Sequence, residues 1–332
     1  MPLETKEIVD PEIRAIIDTD FIDSPNEDFI LYGDEETCLR KHFRKYEEQI
    51  DNFELRDEDI IVASFPKSGT TWIQEMVWLI KHRVSLTGSE IDICERFPML
   101  EMCSLMESRN AEEYVEKHFI KSLQYIDEQK GQRFIKTHLP LCLLPKQLKN
   151  GTKQPKVIYA IRNPKDVFTS YYHHGHVMHG WKPNMEDFAK VYLGDKVLFG
   201  PYWKHVFGFY NMRHLPNFLI IKYEDMKKDI TGVIEKVCHF LGEDPLTEEQ
   251  LELLRERIDF KFMKNNRAVN YKRFVEAGRK NNPDVTDFMR SGTVGNYREE
   301  MSDELISKFD EWIKRNISNT DFDEDYAYGR ST

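Results

Sequence analysis

Asp59-Ile60-Ile61-Val62-Ala63-Ser64-Phe65-Pro66-Lys67-Ser68-Gly69-Thr70-Thr71-Trp72 changes character twice along its length. Asp59 to Phe65 is a short β-branched run, the pattern of a buried strand. Pro66 to Thr71 reads as a turn. From Trp72 to His82 the apolar residues fall at Ile73, Met76, Val77 and Ile80, a helical spacing. The stretch predicts strand, loop and helix in succession.

The unit recurs outward from there. Arg133 to Lys136 is a short strand ahead of His138 and Pro140, and Lys156 to Ile161 is another. Asn163-Pro164-Lys165-Asp166 is a turn and helix cap, with Val167, Ser170 and Tyr171 in the next helix. Asn217 to Ile221 is a fourth strand, and Ile230 to Leu241 is helical. Continuous apolar strands alternating with amphipathic helices predict an α/β fold, a single domain with a central mainly parallel sheet flanked by helices. Towards the N-terminus, Ile22 to Glu36 lacks periodicity and reads as an extended arm, and Glu36 to Phe53 reads as a helix. The expected organisation is an N-terminal arm over 1–35, one domain over 36–320 and an acidic surface tail over 321–332. No repeat, low-complexity tract or Gly/Ser-rich linker divides the chain.

The 332 residues carry 47 Lys plus Arg against 58 Asp plus Glu, a net charge of −11. That sign repels a polyanion, so nucleic acid is not the expected partner, and any phosphate must meet a local basic pocket. No run reaches the roughly 18 to 20 apolar residues that span a bilayer. The opening MPLETKEIVD lacks the basic and apolar regions of a secretory signal. The five cysteines are odd in number and form no CxxC pair, which predicts reduced thiols and a cytoplasmic location. No metal site is expected. His173, His174, His176 and His179 crowd together, but on a helix the first three point in different directions and no cysteine joins them.

In an open α/β sheet, ligands bind beyond the carboxyl ends of the strands. Here those ends lead into Lys67-Ser68-Gly69-Thr70-Thr71, Lys136-Thr137-His138, Arg162 and Tyr223. One polar strand end is commonplace. Four that gather cations, hydroxyls and a histidine in an acidic protein point to an anionic ligand. A glycine turn opening a helix aims N–H groups at an anion, and the helix dipole assists. The order differs from the Walker A pattern because Lys67 precedes Gly69, and no acid comes after a strand in the manner that would hold magnesium. Trp72 could stack on a base. Arg162 and Ser170 can grip one anion from two sides.

Phe-Pro-Lys-Ser-Gly-Thr-Thr-Trp (65–72), Lys-Thr-His-Leu-Pro (136–140), Arg-Asn-Pro-Lys-Asp-Val (162–167) with Ser-Tyr-Tyr (170–172), Tyr-Glu-Asp-Met (223–226) and Phe-Met-Arg-Ser-Gly (288–292) occur in this order. Together they resemble the cytosolic sulfotransferases over about residues 36–315. The resemblance implies a phosphosulfate-binding loop and the donor 3′-phosphoadenosine 5′-phosphosulfate. Lys67, Ser68, Gly69, Thr70 and Thr71 correspond to that loop, and Trp72 packs on adenine. Arg162 and Ser170 correspond to the grip on the 3′-phosphate, Tyr223 and Phe260 to adenine-side aromatics, and Arg290-Ser291-Gly292 to a late loop closing on the 3′-phosphate. The family usually has Arg-Lys-Gly there, so Ser291 removes a cation, and Ile258 stands where Thr is common.

By the same resemblance His138 takes the acceptor's proton, and the ordinary histidine pKa of about 6.5 suits a base at neutral pH. Lys67 stabilises the bridging oxygen, Lys136 neutralises the sulfuryl oxygens, and Ser170 restrains Lys67. The acceptor implied is a small lipophilic hydroxyl compound such as a phenol, steroid or retinoid-like alcohol, bounded by Phe65, Lys136, His138 and Tyr171. A Met-rich stretch from Cys94 to Met106 adds adaptable surface. The spacing from Lys67 to Lys136 exceeds the family's usual length and places an insertion around 87–106. A dehydratase acting through a transient sulfate ester, a non-catalytic lipophile carrier and a nucleotide kinase are the rivals. A homodimer is compatible with the resemblance, although the usual contact motif is altered at Arg298, Asp303 and Ser307. The same stretch reads as a helix capped by Ser302, with Leu305, Ile306, Phe309 and Ile313 as its apolar stripe.

Overall fold

A computed structural model describes residues 2–21, 28–106, 117–279 and 286–330. Contacts divide the chain into two compact units, interleaved in sequence. One comprises Met1–Pro66, Phe97–Tyr159 and Trp181–Phe218, the other Lys67–Arg96, Ala160–Gly180 and Leu219–Thr332.

Seven strands occur among the described residues: β1 (Thr5–Lys6), β2 (Phe29–Tyr32), β3 (Thr37–Arg40), β4 (Ile60–Ser64), β5 (Phe134–Thr137), β6 (Lys156–Ile161) and β7 (Phe218–Lys222). The last four form a sheet in the order β5-β4-β6-β7. β4 and β5 are parallel, with Ile60 opposite Phe134 and Ala63 opposite Thr137. Every residue of β4 is buried, as its unbroken apolar run requires when helices cover both faces of a sheet. The strand order reverses at β4, the position where such sheets open a ligand crevice. The expected strands, and the helices Thr70–Lys81, Pro164–His174 and Ile230–Leu241, lie within a residue or two of their sequence positions.

The N-terminal region differs from its expected form. β1, β2 and β3 make an antiparallel sheet, with Phe29 opposite Arg40 and Tyr32 opposite Thr37. The stretch 22–36 reads in sequence as an extended arm. Residues 22–27 lie outside the described part, and residues 29–40 form a hairpin. The helix expected over 36–53 is instead β3, a 3₁₀ turn (Lys41–Lys45) and a short helix (Glu47–Asp51). All residues of β2 and β3 are buried, so pairing and burial override local helix propensity.

The C-terminal segment, expected as a surface tail, folds as well. Phe322 and Ala327 are buried, and Asn163 Nδ2 donates to the carbonyl of Tyr328 at 3.0 Å. The helix Asp303–Ile317 begins as expected, with the Ser302 hydroxyl accepting from the Leu305 N–H at 3.1 Å. Its buried stripe is Leu305, Phe309, Trp312, Ile313 and Ile317, while Ile306 is half-buried.

Candidate active site

In the first unit, β4 and β5 end side by side and set up His138. This residue is 9 % exposed, and its Nδ1 lies 2.8 Å from the carbonyl oxygen of Ser64. A carbonyl only accepts, so Nδ1 carries the proton and the neutral ring's lone pair falls on Nε2. The Ser64 hydroxyl is 3.3 Å from the same Nδ1. The main chain of His138 is held as tightly. Its N–H donates to Glu101 Oε1 at 2.6 Å, and its carbonyl lies 2.9 Å from His205 Nε2. His205 is buried between that carbonyl and the Tyr159 hydroxyl, 2.9 Å from its Nδ1, and burial pushes its pKa down to about 4. His205 is therefore a neutral bridge at physiological pH.

Glu101 arrives through backbone pairing. Lys136 N–H donates to Pro98 O at 2.9 Å, and Leu100 N–H donates to Lys136 O at 2.8 Å. Residues 98–100 thus run parallel beside β5, with Met99 opposite Lys136. The pairing delivers Glu101, which is fully buried, to the residues after Lys136. Its Oε2 accepts from the Thr137 hydroxyl at 2.9 Å. Burial raises the Glu101 pKa to about 7, against the opposing hydrogen bonds from His138, its own N–H and Thr137 and the charge of Lys136. Phe65 is fully buried, edge-on to the rings of Tyr192, Tyr202 and His205.

In the second unit the loop Lys67–Gly69 opens the helix Thr70–Lys81. Lys67 has φ 71°, a left-handed conformation that is costly for a side-chain-bearing residue and concentrates at functional sites. Gly69 has φ 101°, and a Cβ there would come within 2.8 Å of the Tyr223 ring, so the position excludes other residues both conformationally and sterically. Lys67 Nζ sits 3.9 Å from the centre of the Phe288 ring and 3.5 Å from His174 Nδ1. Ser68 and Thr70 are buried, and Thr71 shares a side-chain hydrogen bond with Tyr271.

Arg162, at the end of β6, gathers three motifs. Its guanidinium lies 4.2 Å from the centre of the Tyr223 ring, Nη1 donates to Lys67 O at 3.3 Å, and Nη2 donates to Thr293 O at 3.1 Å. One turn on, Asp166 accepts from the Gly295 N–H at 2.7 Å and the Tyr297 N–H at 3.2 Å. The late loop is thereby fastened to the helix Pro164–His174. Gly292, with φ 64°, lies so close to Phe260 that a Cβ would be 2.3 Å from its ring. Arg290 pairs with Glu300 at 2.7 Å, a carboxylate that also meets His173. Burial works against that charge, but His173 and Arg290 hold the Glu300 pKa below its ordinary value. A cavity of about 550 Å³ adjoins this region, lined by Trp72, Lys227, Arg255, Ile258 and Phe260 among others. Trp72 meets Tyr223 edge-on at 5.5 Å. Ser170 and Ser291 are half-buried, and Tyr171 is buried with its ring 6.0 Å from that of His174.

The second unit brings together Lys67, Gly69, Arg162 and Tyr223, and separately Phe260 and Gly292. The first brings together Lys136, His138 and Phe65's aromatic cluster. Glu101, Ser64, His205 and Thr293 carry no sequence signal: Ser64 and Thr293 act through their own carbonyls, and Glu101 and His205 grip the main chain of a residue distant in sequence. Glu224, just after β7, is buried and accepts from the Asn163 N–H at 2.9 Å. It ties the end of β7 to the turn after β6. Among the described residues no group of three or more His, Cys, Asp or Glu could hold a metal ion, and no helix is long and apolar enough to cross a membrane. None of the five cysteines is joined in a disulfide.

Comparison with known proteins agrees with this arrangement. The sulfotransferase domain family matches residues 57–321. The luciferin sulfotransferase of Photinus pyralis is 46% identical over 317 residues, 94% of this chain and 85% of that protein. Sulfotransferase 1E1 of Cavia porcellus is 31% identical over 303 residues, 90% of this chain and 97% of the relative. Among solved structures, a retinol dehydratase in complex with androsterone and the inactive cofactor PAP superposes with a TM-score of 0.85 at 29% identity, covering 97% of this chain and 98% of the other. With the family matched across most of its length and relatives of this similarity, the chain belongs to the sulfotransferase family and is a sulfotransferase enzyme.

Proposed function

We propose that the enzyme transfers the sulfuryl group of 3′-phosphoadenosine 5′-phosphosulfate to the hydroxyl of a small lipophilic acceptor, with His138 as the base. The observation that carries this reading is the hydrogen bond from His138 Nδ1 to the Ser64 carbonyl, which leaves the lone pair on Nε2. The acceptor hydroxyl gives its proton to Nε2 as its oxygen bonds to sulfur. The bond from sulfur to the bridging phosphate oxygen breaks, and 3′-phosphoadenosine 5′-phosphate leaves. Such in-line transfer is governed by positioning and charge, as phosphoryl transfer is. Lys67 meets the bridging oxygen, Lys136 the sulfuryl oxygens, and Ser170 restrains Lys67.

Ser68, Gly69, Thr70 and Thr71 cradle the phosphosulfate. Trp72, Tyr223 and Phe260 bound the adenine, and the cavity beside Trp72 and Phe260 supports that assignment. Arg162, Ser170 and the Arg290-Ser291-Gly292 loop hold the 3′-phosphate. Phe65 and Tyr171 bound the acceptor from behind, and the reaction runs without metal in the cytoplasm. The sulfotransferase domain spans 36–320, between an N-terminal segment over 1–35 and a C-terminal segment over 321–332.

The relative at 46% identity is a luciferin sulfotransferase, which favours transfer to a small acceptor with the sulfated product kept intact. A second reading, loss of the sulfate ester to leave a dehydrated product, is favoured by the likeness to the retinol dehydratase structure. Labelled donor offered with phenols, sterols and retinoids in metal-free buffer separates them. A labelled sulfated acceptor is the expected product. Free labelled sulfate with a dehydrated acceptor establishes the second reading, and no transfer to any acceptor refutes both.

Arg162→Ala should weaken 3′-phosphoadenosine 5′-phosphate by about 1.5–3 kcal/mol, the range for a charged hydrogen bond. Adenosine 5′-phosphate should lose much less. Equal losses in calorimetry would remove the 3′-phosphate assignment and leave Arg162 as a brace for Lys67 O and Thr293 O.

A further inference from the structure

We propose that Glu101 is a positioning residue for the reaction, holding the main chain of His138 so that Nδ1 stays on the Ser64 carbonyl and Nε2 is presented as the base. The proposal deepens the reading of His138 as base and rests on it.

Glu101 is buried to zero exposure, and a carboxyl group in such a place is costly unless its oxygens are satisfied. Beside Glu101's own N–H, each oxygen has a partner in the segment carrying the base: Oε1 takes the His138 N–H at 2.6 Å and Oε2 the Thr137 hydroxyl at 2.9 Å. The Thr137 hydroxyl in turn accepts from the Leu139 N–H at 3.0 Å. One side chain therefore fixes the chain on both sides of His138, at the point where β5 ends. His205 meets the same residue at its carbonyl. The imidazole itself is set by Ser64. Backbone, carbonyl and ring are thus held by three separate groups, and Glu101 holds the N–H. Glu101 is kept in place by the pairing of Met99 with Lys136, and by Ser122, whose hydroxyl donates to Leu100 O at 2.9 Å. A carboxylate that served only to fill the core could be any apolar residue of the same size. This one faces the donor groups of a single tripeptide.

The test is a pair of variants read by steady-state kinetics, nucleotide binding and the nitrogen resonances of the His138 ring. Glu101→Leu removes both acceptors at similar volume. It should lower kcat about ten- to a hundredfold, the size of effect that follows loss of a partner orienting a metal-bound histidine. Acceptor KM and 3′-phosphoadenosine 5′-phosphate affinity should stay nearly constant, and the ring should lose its uniform Nδ1–H form. Glu101→Gln restores a carbonyl oxygen for the His138 N–H and should recover most of kcat. Wild-type kcat and tautomer in Glu101→Leu would overturn the proposal, as would a Gln variant no better than Leu. Should the Leu variant not fold, the wild-type protein decides. Its His138 amide proton should lie far downfield and move with the Glu101 carboxyl carbon in one titration, and independent behaviour overturns the proposal. Failure of the underlying reading looks different: His138→Ala would then keep its turnover whatever the Glu101 variants do.

Discussion

His138→Ala lowers kcat by about 10²–10⁴-fold, the range over which a positioned general base contributes, and leaves 3′-phosphoadenosine 5′-phosphate affinity within about twofold of wild type. The separation of the two effects comes from where the groups sit. His138 and its supports, Ser64, Glu101 and His205, all belong to the first unit. The groups assigned to the nucleotide, Lys67 to Trp72, Arg162 and Tyr223, belong to the second. Removing the imidazole takes away the assigned proton acceptor and keeps every side chain assigned to the nucleotide. The measurement is single-turnover sulfate transfer beside calorimetric titration of the nucleotide. Added imidazole should restore part of the rate, because a free ring supplies the missing proton acceptor. Unchanged turnover would sink the assignment of the base. A parallel loss of nucleotide affinity would show that His138 serves donor binding instead.

How much of this is legible in the sequence depends on whether a residue acts by its side-chain type or by its place in the backbone. β4 is readable because Ile60, Ile61 and Val62 are β-branched, and its partners are readable for the same reason. Lys67, Gly69 and Arg162 are readable because cations and glycine after such strands have few other uses. Glu101 is not. It is one of two acids in a Met-rich stretch, and its role arises only when Met99 pairs with Lys136, a contact across distant sequence. Ser64 is hidden because it acts through its carbonyl, which every residue has. The hairpin at 29–40 is hidden because both strands are buried throughout, so the alternation that marks a surface strand is missing. The family resemblance places Phe65 at the acceptor. Its ring is packed into the cluster of Tyr192, Tyr202 and His205, where it also buttresses the histidine that grips the His138 carbonyl.

Asp59→Ala is expected to destabilise the first unit by about 3–5 kcal/mol, the cost of stripping one partner from a buried ion pair. Asp59 and Arg133 both have zero exposure. Arg133 Nε donates to Asp59 Oδ1 at 2.8 Å and Nη2 donates to Oδ2 at 2.6 Å, a two-pronged pairing that fixes the planes of both groups. Arg133 Nη2 also reaches Glu54 O at 2.9 Å, and Asp59 Oδ2 accepts the Arg56 N–H at 2.8 Å. The pair stands at the entry to β4 and β5, where the Ile60 N–H donates to Arg133 O at 3.0 Å. It therefore aligns the two strands whose far ends carry Ser64 and His138. Replacing Asp59 alone strips the buried guanidinium of its two-pronged partner and leaves the exposed Asp127, whose Oδ1 lies 3.8 Å from Nη1, to face it. Replacing both, as Asp59→Leu with Arg133→Met, removes the uncompensated charge and should recover most of the loss. Urea titration of the two variants checks the difference, since a pair whose worth lay in net attraction would leave the double variant as unstable as the single one. Kinetics of the double variant add a second reading. If the pair serves only to hold the strands together, kcat returns with stability. If it also sets their register, stability returns while kcat stays low, because a shift at the entry of β4 against β5 moves the Ser64 carbonyl relative to His138 Nδ1.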